Sequence, residues 1–195
     1  MKTVFFDVDT QIDFLYPAGA LYAPGAELVV PHVAALNRYA ASVGIPVIST
    51  MDAHAEDDPE FKTWPHHCVV ETAEQQKPVA TLLQRRVVAP NRPGDIAVEH
   101  AQQILLEKQT VDCFTNMHLA ALLEEFDAER YVVYGVVTEI CVKNAAFGLL
   151  KTGRRVEIVT DAVSAFNPAA GAKVLADFTA AGGVLTRVAQ VTSTD

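Results

Sequence analysis

Short apolar runs alternate with stretches of helical spacing near the start of the chain. Thr3–Val8 is a β-branched and aromatic run that ends in acidic residues, a pattern typical of a buried strand opening onto a loop. A helix is predicted next, because apolar residues recur near helical spacing at Leu28, Val29, Val33, Leu36, Tyr39 and Ala40. Gly44 and Pro46 end this helix around the start of a second apolar run at 45–50, so the chain begins with a βαβ unit.

The same alternation continues to the end of the sequence. Further strands are predicted at Arg86–Ala89, 131–136, 156–160 and Val184–Thr186. Helical patterns lie at about 95–106, 117–127, 140–152 and 169–181. This order favours an α/β fold of three α/β/α layers, with a central, mostly parallel, Rossmann-like sheet between helices. No repeat or linker interrupts the pattern, so we expect a single domain over residues 1–195.

Polar side chains follow three of the predicted strands, namely Asp7 and Asp9, Asp52 and His54, and Cys141. Open parallel sheets bind ligands beyond the carboxyl ends of their strands, so we expect the chemistry of the protein at these positions. The polar connection 52–78 is also long for a neutral connector, which favours a functional role for it.

The composition narrows the partners and the compartment. With 15 basic and 24 acidic residues the formal net charge is −9, which argues against a nucleic-acid or anionic-membrane surface. Cys68, Cys113 and Cys141 are odd in number and cannot all pair within the chain, which favours a reducing compartment. No signal-peptide core is completed before Asp7, and no apolar run approaches the ~20 residues of a transmembrane helix. We therefore expect a cytoplasmic protein without nucleic-acid or membrane partners.

Cys141 is the candidate nucleophile. It opens a predicted helix, where the helix dipole and free backbone N–H groups favour a thiolate; a buried, small apolar residue is the alternative. Asp7 and Asp9 are two residues apart, so they share one face of the first strand. Either is a candidate base for the thiol proton; the alternative is that these carboxylates only cap backbone groups. Lys108 follows an apolar run, but a lysine by itself indicates a solvated surface. The other two cysteines are interpreted as structural.

A second constellation contains metal-ligating residue types. Asp52 and His54 lie two residues apart, and the pair His66 and His67 follows a dozen residues later. One carboxylate and two imidazoles are a reasonable ligand set for Zn²⁺, Mn²⁺ or Fe²⁺; unrelated surface histidines are the alternative. Trp64 would place an aromatic face beside such a metal, unless it is an ordinary core tryptophan.

Five motifs stand in a fixed order along the chain. They are D-T-Q-I-D-F at 9–14, T-M-D-A-H at 50–54, W-P-H-H-C-V at 64–69, Lys108 ahead of F-T-N at 114–116, and G-V-V-T-E-I-C-V at 135–142. Each motif alone is a weak signal. Together they resemble the isochorismatase-like cysteine hydrolase superfamily, and within it the nicotinamidase/pyrazinamidase branch, over almost the whole chain.

The resemblance implies a catalytic triad of Asp9, Lys108 and Cys141, and so settles the choice of carboxylate. It also implies a non-proline cis peptide between Val136 and Val137. The backbone N–H groups of Val137 and Cys141 would then form an oxyanion hole.

The resemblance further implies a divalent metal, zinc before manganese or iron, held by Asp52, His54 and His67. The metal would bind the pyridine nitrogen of nicotinamide, directly or through water, and orient the ring between Phe14 and Trp64. The implied reaction converts nicotinamide, or a close aromatic carboxamide such as pyrazinamide, to the acid and ammonia through a thioester. This reaction belongs to NAD salvage, and we expect a homo-oligomer.

Three departures from the branch bear on the substrate. Ala53 stands where the branch usually has tryptophan, which implies a wider pocket there. The segment 56–60 lacks the histidine that some members use as a further ligand, so water or one of its acids would complete the metal site. The family turn after H-C-V is also replaced.

Two alternatives to a nicotinamidase follow. The first is a hydrolase of the same fold that acts on isochorismate, an N-carbamoyl compound or maleamate, and the second is a non-catalytic member of the fold. Asp13 is interpreted as structural.

Overall fold

The computed structural model describes residues 1–193 and is built around one seven-stranded sheet. Every neighbouring pair of strands in it is parallel. The strands are β1 (Thr3–Val8), β2 (Val47–Asp52), β3 (Arg86–Ala89), β4 (Gln103–Lys108), β5 (Arg130–Val136), β6 (Arg155–Ser164) and β7 (Val184–Thr186). They lie in the order β3-β4-β2-β1-β5-β6-β7, which confirms the predicted α/β fold with a parallel central sheet.

Helices cover both faces of this sheet. They are α1 (Ile12–Leu15), α2 (Val30–Ser42), α3 (Leu119–Phe126), α4 (Lys143–Leu150), α5 (Pro168–Ala180) and α6 (Val188–Thr192). Alternate residues of β1 enter two separate cores, because side chains of a strand point to opposite faces. Phe6 packs in the core that α3, α4 and α5 cover, whereas Phe5 packs in the core under α2 and α6.

The predicted helix at 95–106 is wrong. The segment from Gln103 to Lys108 is strand β4, which pairs with β2 on one side and β3 on the other. Its apolar run Ile104 to Leu106 is short, and spacing alone does not separate a buried strand from a buried helix at this length. The hydrogen-bonding edges offered by the neighbouring strands decide the outcome. This correction places Lys108 at the carboxyl end of a strand.

Strands β1, β3 and β7 have the predicted bounds, and the remaining predicted elements occur with shifted ends. The second strand runs two residues further than predicted, to Asp52, and β6 extends to Ser164. The helix at 169–181 begins at Pro168, where Oδ1 of Asn167 accepts hydrogen bonds from two backbone N–H groups. Among the described residues, no helix combines the length and the apolar character that crossing a membrane requires.

Candidate active site

Four parallel strands bring the candidate residues to one edge of the sheet. Asp9 follows β1 directly, while Asp52 and Lys108 are the last residues of β2 and β4. After β5 the chain passes through the cis peptide between Val136 and Val137 into the π-helical turn Thr138–Val142, which carries Cys141. Strand order puts these four carboxyl ends side by side, although the residues are far apart in sequence.

The ammonium group of Lys108 lies at the centre of this cluster. Its Nζ contacts Oδ1 of Asp52 closely, lies 2.9 Å from Oδ2 of Asp9 and donates to Sγ of Cys141 at 3.9 Å. The Lys108 side chain is 1% exposed. Burial alone would lower its pKa, but the charges of Asp52 and Asp9 outweigh burial and raise the pKa of Lys108 well above its ordinary value. Lys108 is therefore a buried, fixed positive charge rather than the solvated lysine that its type suggests.

Asp7 and Asp9 have separate environments. Asp9 lies beyond the end of β1 with φ 47°, so the expectation that both share one strand face is wrong. The carboxylate of Asp7 accepts hydrogen bonds from Thr10 and Ser49 and forms a buried ion pair with Lys77. Of these two carboxylates, Asp9 is the one that contacts Lys108. Asp9, and not Asp7, therefore lies beside Cys141.

The Asp9 carboxylate keeps one oxygen available. Its Oδ1 accepts a hydrogen bond from the Thr50 hydroxyl at 2.6 Å. Its Oδ2 is buried and, within residues 1–193, receives no hydrogen bond in good alignment. This buried oxygen is paired with the ammonium group of Lys108, 2.9 Å away. Asp9 thus turns an acceptor oxygen toward Lys108 and Cys141.

The Cys141 sulfur is buried beside these charges. Burial raises its pKa well above the ordinary value, the charge of Lys108 opposes this rise, and the charges of Asp9 and Asp52 add to it. Burial therefore opposes the thiolate that the start of the helix favours, and the expectation of a thiolate stays a prediction. A base beside the sulfur that takes its proton would assist any reaction of the thiol.

Asp52, His54 and His67 form the second cluster. One ligand atom from each lies within 4.8 Å of the others, and all three side chains are buried. The Nδ1–H of His67 donates to the Pro65 carbonyl, 2.8 Å away, which leaves its Nε2 directed at Asp52, 3.7 Å from Oδ2. Both ring nitrogens of His54 are buried and make no aligned hydrogen bond among the described residues. The two imidazoles and the adjacent carboxylate fit a divalent cation.

Charges around this cluster favour an anionic carboxylate. Burial alone would raise the pKa of Asp52, but the charge of Lys108 and hydrogen bonds from His67 and Lys108 lower it. The neighbouring segment adds two acids: Oδ2 of Asp58 lies 3.0 Å from Nδ1 of His54, and Oε2 of Glu60 lies 3.3 Å from its Nε2. Asp58 and Glu60 stand where the sequence lacks a further histidine.

A short parallel bridge fixes the histidine segment to the sheet. His54 pairs with Val69, its N–H donates to the Cys68 carbonyl at 3.1 Å, and its carbonyl accepts from Val70. Asp13 anchors the same turn, since Oδ2 accepts the Cys68 N–H at 2.6 Å. Asp13 therefore holds backbone in place, as its structural interpretation expects.

Both clusters open onto a cleft that is partly open to solvent. Cys141, Asp52 and His67 line it together with Phe14 and Trp64. Glu60, one of the acids that the sequence offers to the metal site, also lines it. Sequence reasoning missed four further lining residues, which are Leu21, Val111, Ile140 and Phe166. Ala53 is buried and does not line the cleft, and the wider pocket expected there stays a prediction.

Comparison with known proteins identifies the family. Residues 3–190 match the family model described as Isochorismatase domain. The chain belongs to the isochorismatase family. This confirms the resemblance drawn from the five motifs.

Several individual proteins are similar to this chain over most of their length. A nicotinamidase from Escherichia coli (strain K12) is 26% identical over 204 residues, covering 91% of each chain. The structure of a pyrazinamidase from Pyrococcus horikoshii in complex with zinc is also 26% identical, with a TM-score of 0.80, covering 96% of this chain and 99% of that one. An N-carbamoylsarcosine amidase from Thermoplasma acidophilum is 25% identical, with a TM-score of 0.77 and coverage of 96% and 97%.

Proposed function

We propose that this protein is a metal-containing cysteine amidohydrolase that converts nicotinamide, or a close aromatic carboxamide such as pyrazinamide, to the acid and ammonia. The observation that carries the proposal is the convergence of Asp9, Lys108 and Cys141 with the Asp-His-His cluster at one aromatic cleft. Similarity to a nicotinamidase and to a pyrazinamidase supports this substrate class. The reaction would serve NAD salvage.

The first step transfers the thiol proton. Oδ2 of Asp9 accepts the proton of Cys141, and Lys108 stabilises the thiolate that forms, since its Nζ already donates to Sγ. Because burial raises the pKa of Cys141, we propose that this transfer accompanies the attack on the substrate.

The covalent steps then follow at one carbon. The Cys141 sulfur bonds to the carboxamide carbon, and the resulting oxyanion accepts hydrogen bonds from the backbone N–H groups of Val137 and Cys141. Asp9 returns the proton to the nitrogen, the C–N bond breaks, and ammonia leaves a thioester. Water then gives a proton to Asp9 and adds to the same carbon. The C–S bond breaks to release the acid, and Asp9 returns that proton to the sulfur, which restores the thiol.

We propose zinc as the cation of the second cluster, with Asp52, His54 and His67 as ligands and Glu60 as a further carboxylate beside Nε2 of His54. The donor set of one carboxylate and two imidazoles suits Zn²⁺, and the similar pyrazinamidase structure is a zinc complex. When bound, the cation would supply a Lewis acid for the pyridine nitrogen of the substrate. Phe14 and Trp64 would hold the ring between them in the cleft.

The test is ammonia release from nicotinamide, pyrazinamide, maleamate and an N-carbamoyl amino acid, with Cys141→Ala and Cys113→Ala as matched variants. Both cysteines are buried in the same core, but only Cys141 lines the cleft. We expect nicotinamide or pyrazinamide to be the best substrate, with a loss of at least ~10⁴-fold in Cys141→Ala and little change in Cys113→Ala. Activity that survives in Cys141→Ala contradicts the nucleophile.

The similar N-carbamoylsarcosine amidase gives the alternative substrate class its one specific support. A preference for the N-carbamoyl amino acid in the same panel would transfer the proposal to that class. The thiol chemistry of Asp9, Lys108 and Cys141 would remain as described.

A further inference from the structure

The pairing between β1 and β2 stops short of the metal cluster. Its last register pair joins Val8 to Thr50, and the N–H of Asp9 makes the final backbone bond to the Thr50 carbonyl at 3.1 Å. The chain then turns away at Asp9, where φ is 47°. Asp52 lies two residues further along β2 and pairs with Lys108 of β4 on its other side. On the β1 side, the backbone of Asp52 therefore has no strand to pair with.

The side chain of Gln11 takes the place of the missing strand. Its Oε1 accepts the N–H of Asp52 at 2.7 Å, and its Nε2 donates to the carbonyl of the same residue at 2.8 Å. Both bonds are those that a continued parallel strand would contribute. The Gln11 side chain is fully buried, so water supplies neither bond in its place. One amide group thus completes the ladder at the metal ligand.

Gln11 also connects Asp52 to two other parts of the site. Its backbone N–H donates to the Asp9 carbonyl at 2.8 Å, and Nε2 donates a further bond to the Gln75 carbonyl at 2.7 Å. The same residue is thereby fixed to the proposed base, to the proposed metal ligand and to the segment that follows the histidines. Loss of the amide would leave the Asp52 N–H and the Gln75 carbonyl without these partners, and would leave the Asp52 carbonyl with only a 3.5 Å bond from Nε2 of Gln75.

We propose that Gln11 is a positioning residue that holds Asp52 in register for the metal while Asp9 turns out of the sheet toward Lys108 and Cys141. This inference rests on the proposed metal centre. It explains why a side chain that touches neither the cleft nor the cysteine is buried at this junction. Groups that orient metal ligands commonly change metal affinity by about 10–100-fold when they are removed.

The experiment compares Gln11→Met with Gln103→Met in the full chain. Methionine keeps the length and neutrality of glutamine but removes its donors and acceptor. Gln103 is an equally buried glutamine whose Oε1 accepts the Leu83 N–H at 2.8 Å and whose Nε2 donates to Ser49 and Thr81. It begins strand β4, whereas the metal cluster lies at the strand's other end, beside Lys108. Both variants lose similar bonds, but only one loses them at the metal ligand.

The main readout is the Zn²⁺ dissociation constant, measured by chelator competition without substrate. We expect Gln11→Met to raise this constant about 10–100-fold, and Gln103→Met to leave it within about threefold of wild type. The second readout is hydrogen exchange of the Asp52 backbone amide, which we expect to quicken in Gln11→Met alone. If Gln11→Met does not fold, Gln11→Glu replaces it, because it keeps the acceptor for the Asp52 N–H but loses the donors.

The outcomes separate this inference from the function on which it rests. Equal Zn²⁺ affinity in wild type and the Gln11 variant, or equal losses in the Gln11 and Gln103 variants, overturns the positioning role and leaves the proposed function standing. Wild-type protein that binds no Zn²⁺ removes the metal centre and the inference together. Hydrolysis of no carboxamide by wild type, with the Zn²⁺ difference intact, removes the proposed substrate alone.

Discussion

At the scale of single residues, environment separates side chains of the same type. Asp7 and Asp9 are two residues apart in the sequence. Asp7 forms an ion pair with Lys77 and accepts hydrogen bonds from two hydroxyl groups, whereas one oxygen of Asp9 lies beside the ammonium group of Lys108. Cys141 and Cys113 are both buried thiols, and burial raises the pKa of each, but only Cys141 receives a hydrogen bond from Lys108. Residue type alone therefore assigns no role here.

Asp9→Asn should separate thiol acidity from turnover. The negative charge of Asp9 raises the pKa of Cys141, so its removal should lower that pKa and shift the alkylation of Cys141 by iodoacetamide to lower pH. Carboxamide hydrolysis should fall by ~10²–10⁴-fold, because the variant has no base for the thiol proton. A pH series of alkylation rates and steady-state ammonia release measure the two effects.

Asp7→Asn is the matched control for that experiment. It should leave the pH profile of Cys141 alkylation unchanged, because Asp7 contacts Lys77 and not the cysteine cluster. Denaturant unfolding should instead show a loss of about 3 kcal/mol, since removing one partner leaves Lys77 as a buried unpaired charge. A shifted alkylation profile in Asp7→Asn, or an unshifted one in Asp9→Asn, would contradict the assignment of Asp9 as the base. The choice between the two carboxylates would then be open again, as it is from the sequence alone.

At the scale of elements, the connection between β2 and β3 supplies two of the three candidate metal ligands, His54 and His67. It contains the short 3₁₀ turn Pro59–Lys62, and its histidines are held by the His54–Val69 bridge and by Asp13. Because these two ligands belong to no strand, we expect the sheet to fold without a cation at this site.

Metal removal should consequently abolish activity while the fold persists. Treatment with a chelator should stop carboxamide hydrolysis, leave the far-ultraviolet circular dichroism unchanged and lower the melting temperature, because a ligand of the folded state stabilises it. Added Zn²⁺ should restore both properties.

A pair of histidine variants assigns the ligands. His54→Ala should lose bound metal after dialysis, whereas His66→Ala should retain it, because His66 is exposed and stacks on Phe61. Elemental analysis of the purified proteins measures the content. Similar metal content in the two variants would be evidence against the cluster.

The end of β5 depends on a residue without a side chain. Gly135 has φ 120°, and a Cβ there would lie 2.1 Å from the Val8 carbonyl oxygen of β1. Gly135→Ala should therefore push β1 and β5 apart beside the proposed oxyanion hole, and should lower the free energy of unfolding by about 3 kcal/mol or more. Gly153→Ala is the control, since φ is 73° but no atom lies within 4 Å, and it should cost ~1 kcal/mol. Denaturant unfolding compares the two, and equal costs would contradict the close approach.

At the scale of the whole molecule, the strand order makes the site. With β1 and β2 at the middle of the sheet, and β4 and β5 on either side of them, four carboxyl ends meet where the candidate residues lie. The same order leaves β3 and β7 as edge strands, with Val88 and Leu185 each more than two-fifths exposed. Uncovered edges with apolar residues favour association between chains.

We expect the protein to be a homo-oligomer in solution. Light scattering after size exclusion should give a multiple of the 21.1 kDa chain mass. Val88→Lys, on the β3 edge, should shift the distribution toward the monomer if that edge is the contact, because a charge on an edge strand opposes pairing. A wild-type mass of one chain would contradict the expectation.

The sequence predicts the fold well where periodicity is long or bounded by turns. The first βαβ unit and the helix at 169–181 occur close to their predicted ends, because apolar spacing and capping residues act locally. Strand β4 was predicted as a helix, since its three-residue apolar run, Ile104 to Leu106, carries no signal that separates a strand from a helix. The candidate catalytic and metal-ligating residues come from motifs that match a family, whereas Glu60 and Phe166 of the cleft belong to none.

The sequence by itself determined the kinds of chemistry available: one thiol with a carboxylate and a lysine, one carboxylate with two imidazoles, and a parallel sheet to display them. Tertiary structure decided which carboxylate meets the thiol, that Lys108 is a buried cation, that burial raises the pKa of Cys141, and that Gln11 completes the pairing of Asp52. The physical reason is that spacing and type act over a few residues along the chain. Charge, desolvation and hydrogen bonding act between strands that only the folded sheet brings together.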